Sequence, residues 1–201
     1  MELDTPRLRL REFVEDDSEC ANAYEGDPIA VRFAPHGVRS LDDSLEHLRA
    51  LIADSRGAAR KIFDFAVVPR DTGRLIGRCG MRLSEAEPSE AMLWYVLARS
   101  AWGNGYATEA AHAVLAFGFE ELRLHRIFLE IDPRNVGSLR VAEKLELRRE
   151  AHLRENSWVK GEWIDTVVFA RLDREHRALR KAGSIESARR ANAPTRESRR
   201  G

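Results

Sequence analysis

Residues 102–110 read WGNGYATEA, an aromatic residue, two glycines separated by Asn104, then small and helix-favouring residues. Before it comes AMLWYVLA (91–98), a run of branched and aromatic residues of the kind that strands use. After it, from Gly105 to Glu120, Ala111, Val114, Leu115 and Phe119 recur at helical spacing. The stretch is therefore a hand-over from strand to helix. The first N–H groups of a helix have no partner inside it, and the dipole there is positive. A glycine-bearing loop at that place makes an anion site, because Gly103 and Gly105 let the backbone approach a ligand with no Cβ in between. A tight turn without a ligand would use the same glycines, and a lone Gly-x-Gly does not separate the two readings.

Working outward, PRLRLREF alternates, with Leu8 and Leu10 on one side and Arg7, Arg9 and Arg11 on the other, which predicts a half-buried strand. EDDSECANAYEGD carries acidic residues in its first turn and Gly26 near its end, the marks of a helix. LDDSLEHLRALIADSRG predicts a second helix with an apolar stripe of Leu41, Leu45, Leu48, Leu51 and Ile52. IFDFAVVP and RLIGRCGMRL read as strands joined at Asp71-Thr72-Gly73. HRIFLEIDP reads as another strand, and NVGSLRVAEKLEL as a helix beginning near Asn135 or Ser138. LRREAHLRE and EWIDTVVFARL read as final strands turning near Lys160-Gly161. The expected fold is a single α/β (α+β) domain over residues 1–173, with a mixed sheet of about seven strands and about four helices. From Arg174 to Gly201 the chain is polar and Arg-rich, which predicts disorder or a weak, fraying helix.

Composition narrows the classes. The chain has 201 residues, 43% of them hydrophobic, which suits one domain with a sizeable core. Its formal net charge is zero, yet from Arg171 onward ten Lys/Arg stand against four Asp/Glu. The plainer reading of that basic end is a solvated tail. Nucleic-acid binding is thus not expected, and ribosome contact through the tail stays as an alternative. Cys20 and Cys79 are far apart and form no C-x-x-C, so a reducing, cytoplasmic setting is expected. The charged start does not resemble a signal peptide, and no apolar run reaches membrane-spanning length. The histidines lack H-x-x-x-H or H-E-x-x-H spacing, so no metal is expected.

Two familiar phosphate loops fail against residues 102–110. A Walker A loop needs Lys after its second glycine, where Tyr106 stands, and a dinucleotide fingerprint needs Gly or Ala where Thr108 stands. Written from Trp102, the stretch W-x-x-G-x-A resembles the pyrophosphate loop of the GNAT superfamily of acyl-CoA-dependent N-acetyltransferases, and WGxGYATEA that of its RimJ/RimL-like branch. TPRLRLREF, DPRNVGSLRVAEKLEL and LRENSWVKGEWIDTVVFARL resemble further segments of that branch, in order, over residues 5 to 172.

The resemblance implies a mostly antiparallel sheet with a splayed cofactor cleft, acetyl-CoA as cosubstrate, and a primary amine as acceptor, on a protein N-terminus or a small molecule. It implies cofactor contacts from the amides of Gly103, Asn104, Gly105, Tyr106, Ala107 and Thr108, and from backbone groups around Val96, Leu97 and Ala98. Trp102 either packs at the cofactor loop or is a core aromatic. Asn135 and Ser138 share a helical face across the cleft. They serve the cofactor, with Ser138 as general acid for the departing thiolate, or they cap the helix. Where many relatives have a Tyr ahead of EKLGF, this chain has Ala142. Many relatives also carry a Glu on the strand before the loop; here Met92 occupies its place, so no base is assigned, with Glu130 and His112 as candidates and a relayed water as the alternative. Phe33, His36, Trp94 and Trp158 are candidate acceptor-wall residues. Glu146 replaces the glycine that usually follows EKL and implies a strained or differently built helix exit. Homodimerisation is an expectation by analogy, and a non-catalytic acyl-CoA-binding module is the competing function.

Overall fold

In the computed structural model, alternation of side chains decides which way each strand faces. In the strand Ile62–Pro69, Phe63, Phe65 and Val67 meet one hydrophobic core, and Ala66 and Val68 meet another. The structure describes residues 1–57, 60–87 and 89–191, with side chains as far as 182.

Eight strands form one sheet: β1 (Glu2–Asp4), β2 (Leu8–Arg11), β3 (Ile62–Pro69), β4 (Gly77–Leu83), β5 (Glu90–Leu97), β6 (Arg126–Ile131), β7 (Arg148–Val159) and β8 (Glu162–Leu172). Their spatial order is β1-β2-β3-β4-β5-β6-β8-β7. Every neighbouring pair is antiparallel except β5 and β6, which are parallel. Helices α1 (Ser18–Glu25) and α2 (Leu41–Ser55) cover one face through Ala21, Tyr24 and Leu48. Helices α3 (Tyr106–Glu120) and α4 (Val136–Lys144) lie on the other face, where Val114, Leu115, Phe119 and Ala142 join the larger core.

Local chemistry sets the helix ends. Ser40 caps α2 by accepting from Asp43 N–H at 3.1 Å, while the Asp43 carboxylate accepts from Ser40 N–H at 3.0 Å. At the end of α4, Leu147 N–H donates to Ala142 O (3.1 Å) and Glu146 N–H to Glu143 O (2.9 Å). That double closure needs a left-handed residue at its apex, and Glu146 supplies it with φ 53°. The differently built exit is thus the usual turn made by an unusual residue.

Three differences from the sequence expectation have physical reasons. The eighth strand is β1, whose three residues pair Leu3 with Leu10 and are too few to show a period. Leu41 is 48% exposed and leaves the apolar stripe, because it directly follows the cap and faces outward. The polar segment from Arg174 begins inside a fifth helix, α5 (Asp173–Ala191). His176 in its first turn is buried, stacks on Phe119 with centroids 4.8 Å apart, and bonds Glu120 at 3.1 Å. The remainder of the expected tail, 192–201, lies outside the described residues.

Candidate active site

The sheet opens between its two parallel strands. Register pairs join Glu90 to Arg126, Ala91 to Ile127 and Met92 to Phe128, and none follows. Beyond Met92, β5 runs on to Leu97 and β6 to Ile131 without pairing each other. The closed end is pinned by an ion pair between Glu90 and Arg126. Because successive residues point their backbone groups to opposite sides, the side of β5 that faces the opening can be read from the bonds it makes. Ala98 N–H donates to Ile76 O at 2.8 Å, and Glu90 O accepts from Ser84 N–H at 2.8 Å, both toward β4. Leu93, Tyr95 and Leu97 therefore present their backbone to the cleft. Of the three residues expected there, only Leu97 does so; Val96 and Ala98 turn toward β4, because the strand's alternation runs one residue out of phase with that expectation.

At the open end lies the glycine loop. Gly103 has φ 78° and Gly105 has φ 79°, both left-handed, and Gly105 caps α3. A Cβ on Gly103 would meet nothing within 4 Å. No hydrogen bond within the described residues uses the N–H groups of Gly103, Asn104, Gly105, Tyr106, Ala107 or Thr108; the first internal bond runs from Glu109 N–H to Gly105 O at 3.0 Å. Six successive donors thus point out of the chain at the positive end of a 15-residue helix. Trp102 is 49% exposed, and its indole N–H donates to Leu97 O at 2.8 Å, so it latches the loop to the strand end and is not a core residue.

Arg7 lies beside this loop, donates to Asn104 O at 3.0 Å, and covers the Tyr106 ring at 4.8 Å. Glu109 holds Arg7 and Thr5. Burial favours protonation of its carboxyl, but these bonds outweigh it and keep its pKa below the ordinary value. Sequence reading missed Arg7 because it sits about a hundred residues away in an alternating strand, where charge reads as a solvated face.

Across the opening, Asn135 caps α4 with its Oδ1 accepting from Ser138 N–H at 3.1 Å. Capping therefore occupies the Asn135 oxygen and leaves its amide N–H₂ and the Ser138 hydroxyl for other partners. Tyr95, on the same face of β5, brings its hydroxyl to Ser138. Burial raises its pKa above the ordinary value, against a smaller lowering by Ser138. The buried Tyr95 hydroxyl completes no hydrogen bond of normal geometry. Sequence reading gave this residue no role.

On the opposite face, Trp94, Met92, Phe128 and Glu130 line up by alternation. Glu130 is exposed, and its strand neighbour on β8 is Val168. His112 lies midway along α3, with Arg171, His176, Glu146 and Glu120 as its electrostatic neighbours. Glu130 stands on β6 beyond the last pair with β5. His36 is near Arg39, Arg78 and Glu25; its Nδ1 contacts Gly37 O at 2.8 Å, and burial lowers its pKa. Lys160, at the β7–β8 turn, donates to Val31 O (2.7 Å) and Arg32 O (3.2 Å). This tether draws Phe33 toward the hairpin that carries Trp158, which packs edge-on against Trp163 at 5.3 Å. Among the described residues, no three His, Cys, Asp or Glu side chains gather as metal ligands, and no helix is long and apolar enough to cross a membrane.

The fold is shared with known proteins. Residues 7–148 match the family model described as an acetyltransferase (GNAT) domain. The chain is 32% identical over 175 residues to the uncharacterized N-acetyltransferase YnaD of Bacillus subtilis, covering 87% of this chain and 99% of that one. A GNAT-family acetyltransferase structure from Bacillus anthracis superposes with a TM-score of 0.78 at 29% identity, over 87% of this chain and all of the other. RimL, a ribosomal L7/L12 alpha-N-protein acetyltransferase solved with coenzyme A, shares the fold with a TM-score of 0.71 at 15% identity, over 86% and 98% of the two chains. The chain belongs to the GNAT family of acetyltransferases and is an acyl-CoA-dependent N-acetyltransferase.

Proposed function

We propose that the protein transfers an acetyl group from acetyl-CoA to a primary amine, carried by a small molecule or by the N-terminus of a chain, through direct attack on the thioester. The observation that carries this reading is the row of six unpaired N–H groups from Gly103 to Thr108, set where β5 and β6 part. A diphosphate fits such a row, and a Cβ-free approach at Gly103 leaves room for it. The backbone of Tyr95 and the N–H of Leu97, which face the opening beyond the last register pair, suit the amide-bearing arm of coenzyme A, which would lie in the cleft as an added strand.

Acetyl-CoA supplies an acetyl group activated as a thioester. The chain's own residues have three tasks. A backbone N–H on the open side of β5 stabilises charge on the carbonyl oxygen. Tyr95, held protonated by burial, and Ser138 stand together as proton donors for the departing sulfur. The wall formed by Phe33, His36, Trp94 and Trp158 orients the amine, with the Lys160 tether closing one side. A loop tied to the hairpin on that side favours a small amine or a terminal amine over an internal segment of a folded protein.

The test is calorimetric titration with acetyl-CoA, followed by thiol release with a panel of amines. Heat of binding and amine-dependent thiol release are expected; no binding by the wild-type chain would overturn the reading.

A further inference from the structure

On the face of the sheet that α1 and α2 cover, polar side chains form one connected line. Glu25, 2% exposed, accepts from Arg39 Nη1 at 2.8 Å and from His47 Nδ1 at 2.9 Å. His47 Nε2 accepts from Arg78 Nη1 at 3.1 Å, and the same Nη1 lies 3.2 Å from Asp64 Oδ2. The register then places Asp64, Gly80 and Trp94 side by side on β3, β4 and β5. Two strand spacings, about 10 Å, separate the outer pair, and Gly80 leaves the middle of the row empty. A Cβ there would stand 2.9 Å from Asp64 Oδ1 and 2.4 Å from Phe63 O. The line therefore reaches from the surface of α2 to the cleft strand.

Four atoms of this line are buried and complete no hydrogen bond among the described residues: Glu25 Oε2, Asp64 Oδ1, Arg78 Nε and Trp94 Nε1. The indole lies near enough to favour the Asp64 carboxylate without reaching bonding geometry. Leaving such buried atoms unpaired is costly, and a cluster of them is where proteins hold ordered water. Asp64 is 4% exposed. Burial, opposed by Arg78 and His47, sets its pKa above the ordinary value, which makes it a better proton acceptor. Met92, one row along on the same face of β5, offers no carboxylate.

We propose that Asp64, through water held between its free Oδ1 and the Trp94 indole, takes the proton that the acceptor's ammonium must lose before attack. The proposal rests on the amine-acetyltransferase reading above. The ammonium becomes a neutral amine as the Asp64 carboxylate becomes a carboxylic acid. When nitrogen bonds to the acetyl carbon and the carbon–sulfur bond breaks, the second nitrogen-bound proton balances the thiolate as thiol. The Asp64 proton returns to solvent before the next turnover. Asp64 is thus a positioning and relay residue that acts through water. Other titratable or charged groups packed around it are Tyr24 and Glu25 from α1, His36 and Arg39 from the following loop, His47 from α2 and Arg78 from β4.

The experiment compares wild type with Asp64→Asn, using acetyl-CoA and a short peptide with a free N-terminus, whose amine has a pKa of about 8. At pH 7 the variant is expected to lose kcat/KM about 10²–10³-fold. Above pH about 9, where the amine is already neutral, the loss should shrink to a few-fold. Calorimetric affinity for coenzyme A should be unchanged, and His36→Gln should leave the pH limb in place. A second readout needs no cofactor. The Trp94 Nε1–H NMR signal, assigned with Trp94→Phe, should shift as pH crosses a midpoint above about 4 in wild type and stay fixed in Asp64→Asn. Wild-type kcat/KM at pH 7 in the variant, or a wild-type indole signal indifferent to pH, overturns the proposal. Should the variant not fold, the wild-type indole titration decides alone. A wild type that binds no acetyl-CoA sinks the functional reading instead, and the NMR result still judges Asp64.

Discussion

At the scale of single residues, chemistry and geometry disagree in informative ways. Glu146 holds a left-handed conformation that L-residues avoid, and it is exposed, so its side chain is free to be lost. Glu146→Gly should stabilise the fold by about 1 kcal/mol, seen as a higher midpoint in urea with an unchanged slope. This residue was legible from sequence as a misfit, because a glycine is what the turn needs. Tyr95 and Ser138 were not equally legible. Ser138 was reached through resemblance, whereas Tyr95 stood unnoticed in a strand where an aromatic reads as core. Their shared position predicts that Tyr95→Phe and Ser138→Ala each lower kcat by tenfold or more, with little change in coenzyme A affinity, and that the double variant loses less than the product of the two. Independent, fully multiplicative losses would show that they do not act on one proton.

At the scale of elements, the decisive unit is β5, the glycine loop and α3. Its boundaries could be read from a change of pattern: the branched and aromatic run stops near Ala98, and helical spacing starts near Gly105. The phase of β5 could not be read, because AMLWYVLA is apolar on both faces and an apolar run gives no alternation to count. That is why Val96 and Ala98 were expected at the opening where Leu93, Tyr95 and Leu97 stand. The loop carries its own test. Gly103→Ala places a methyl in open space but forces alanine into a left-handed conformation, at a cost of about 1–2 kcal/mol. The variant should still fold while its affinity for acetyl-CoA falls by tenfold or more in calorimetry, because the methyl stands where the diphosphate would approach. Unchanged affinity would move the anion site elsewhere. α5 marks the limit of pattern reading in the other direction: its polar composition hid a first turn anchored by His176 on Phe119, a single buried contact that no periodicity announces.

At the scale of the whole molecule, sheet order was not available from sequence, since the placement of β8 between β6 and β7 is a long-range choice. Resemblance supplied the splay, and the structure shows how little spans it: three register pairs at one end, with α3 crossing behind. The strands β1 to β5 on one side and β6 to β8 on the other are thus joined within the sheet by these pairs, which end at Met92 and Phe128. A coenzyme arm that bonded the free edges of both would act as a keystone, mending the sheet it enters. Its binding energy would then be felt far from the acetyl group, as resistance of the entire domain to unfolding. At a hundredfold excess over Kd, acetyl-CoA should add about 2.7 kcal/mol to stability, raising Tm by several degrees and slowing amide exchange on β6 and β8 as much as on the glycine loop. Protection confined to the loop would mean that the arm does not bridge the two halves of the sheet.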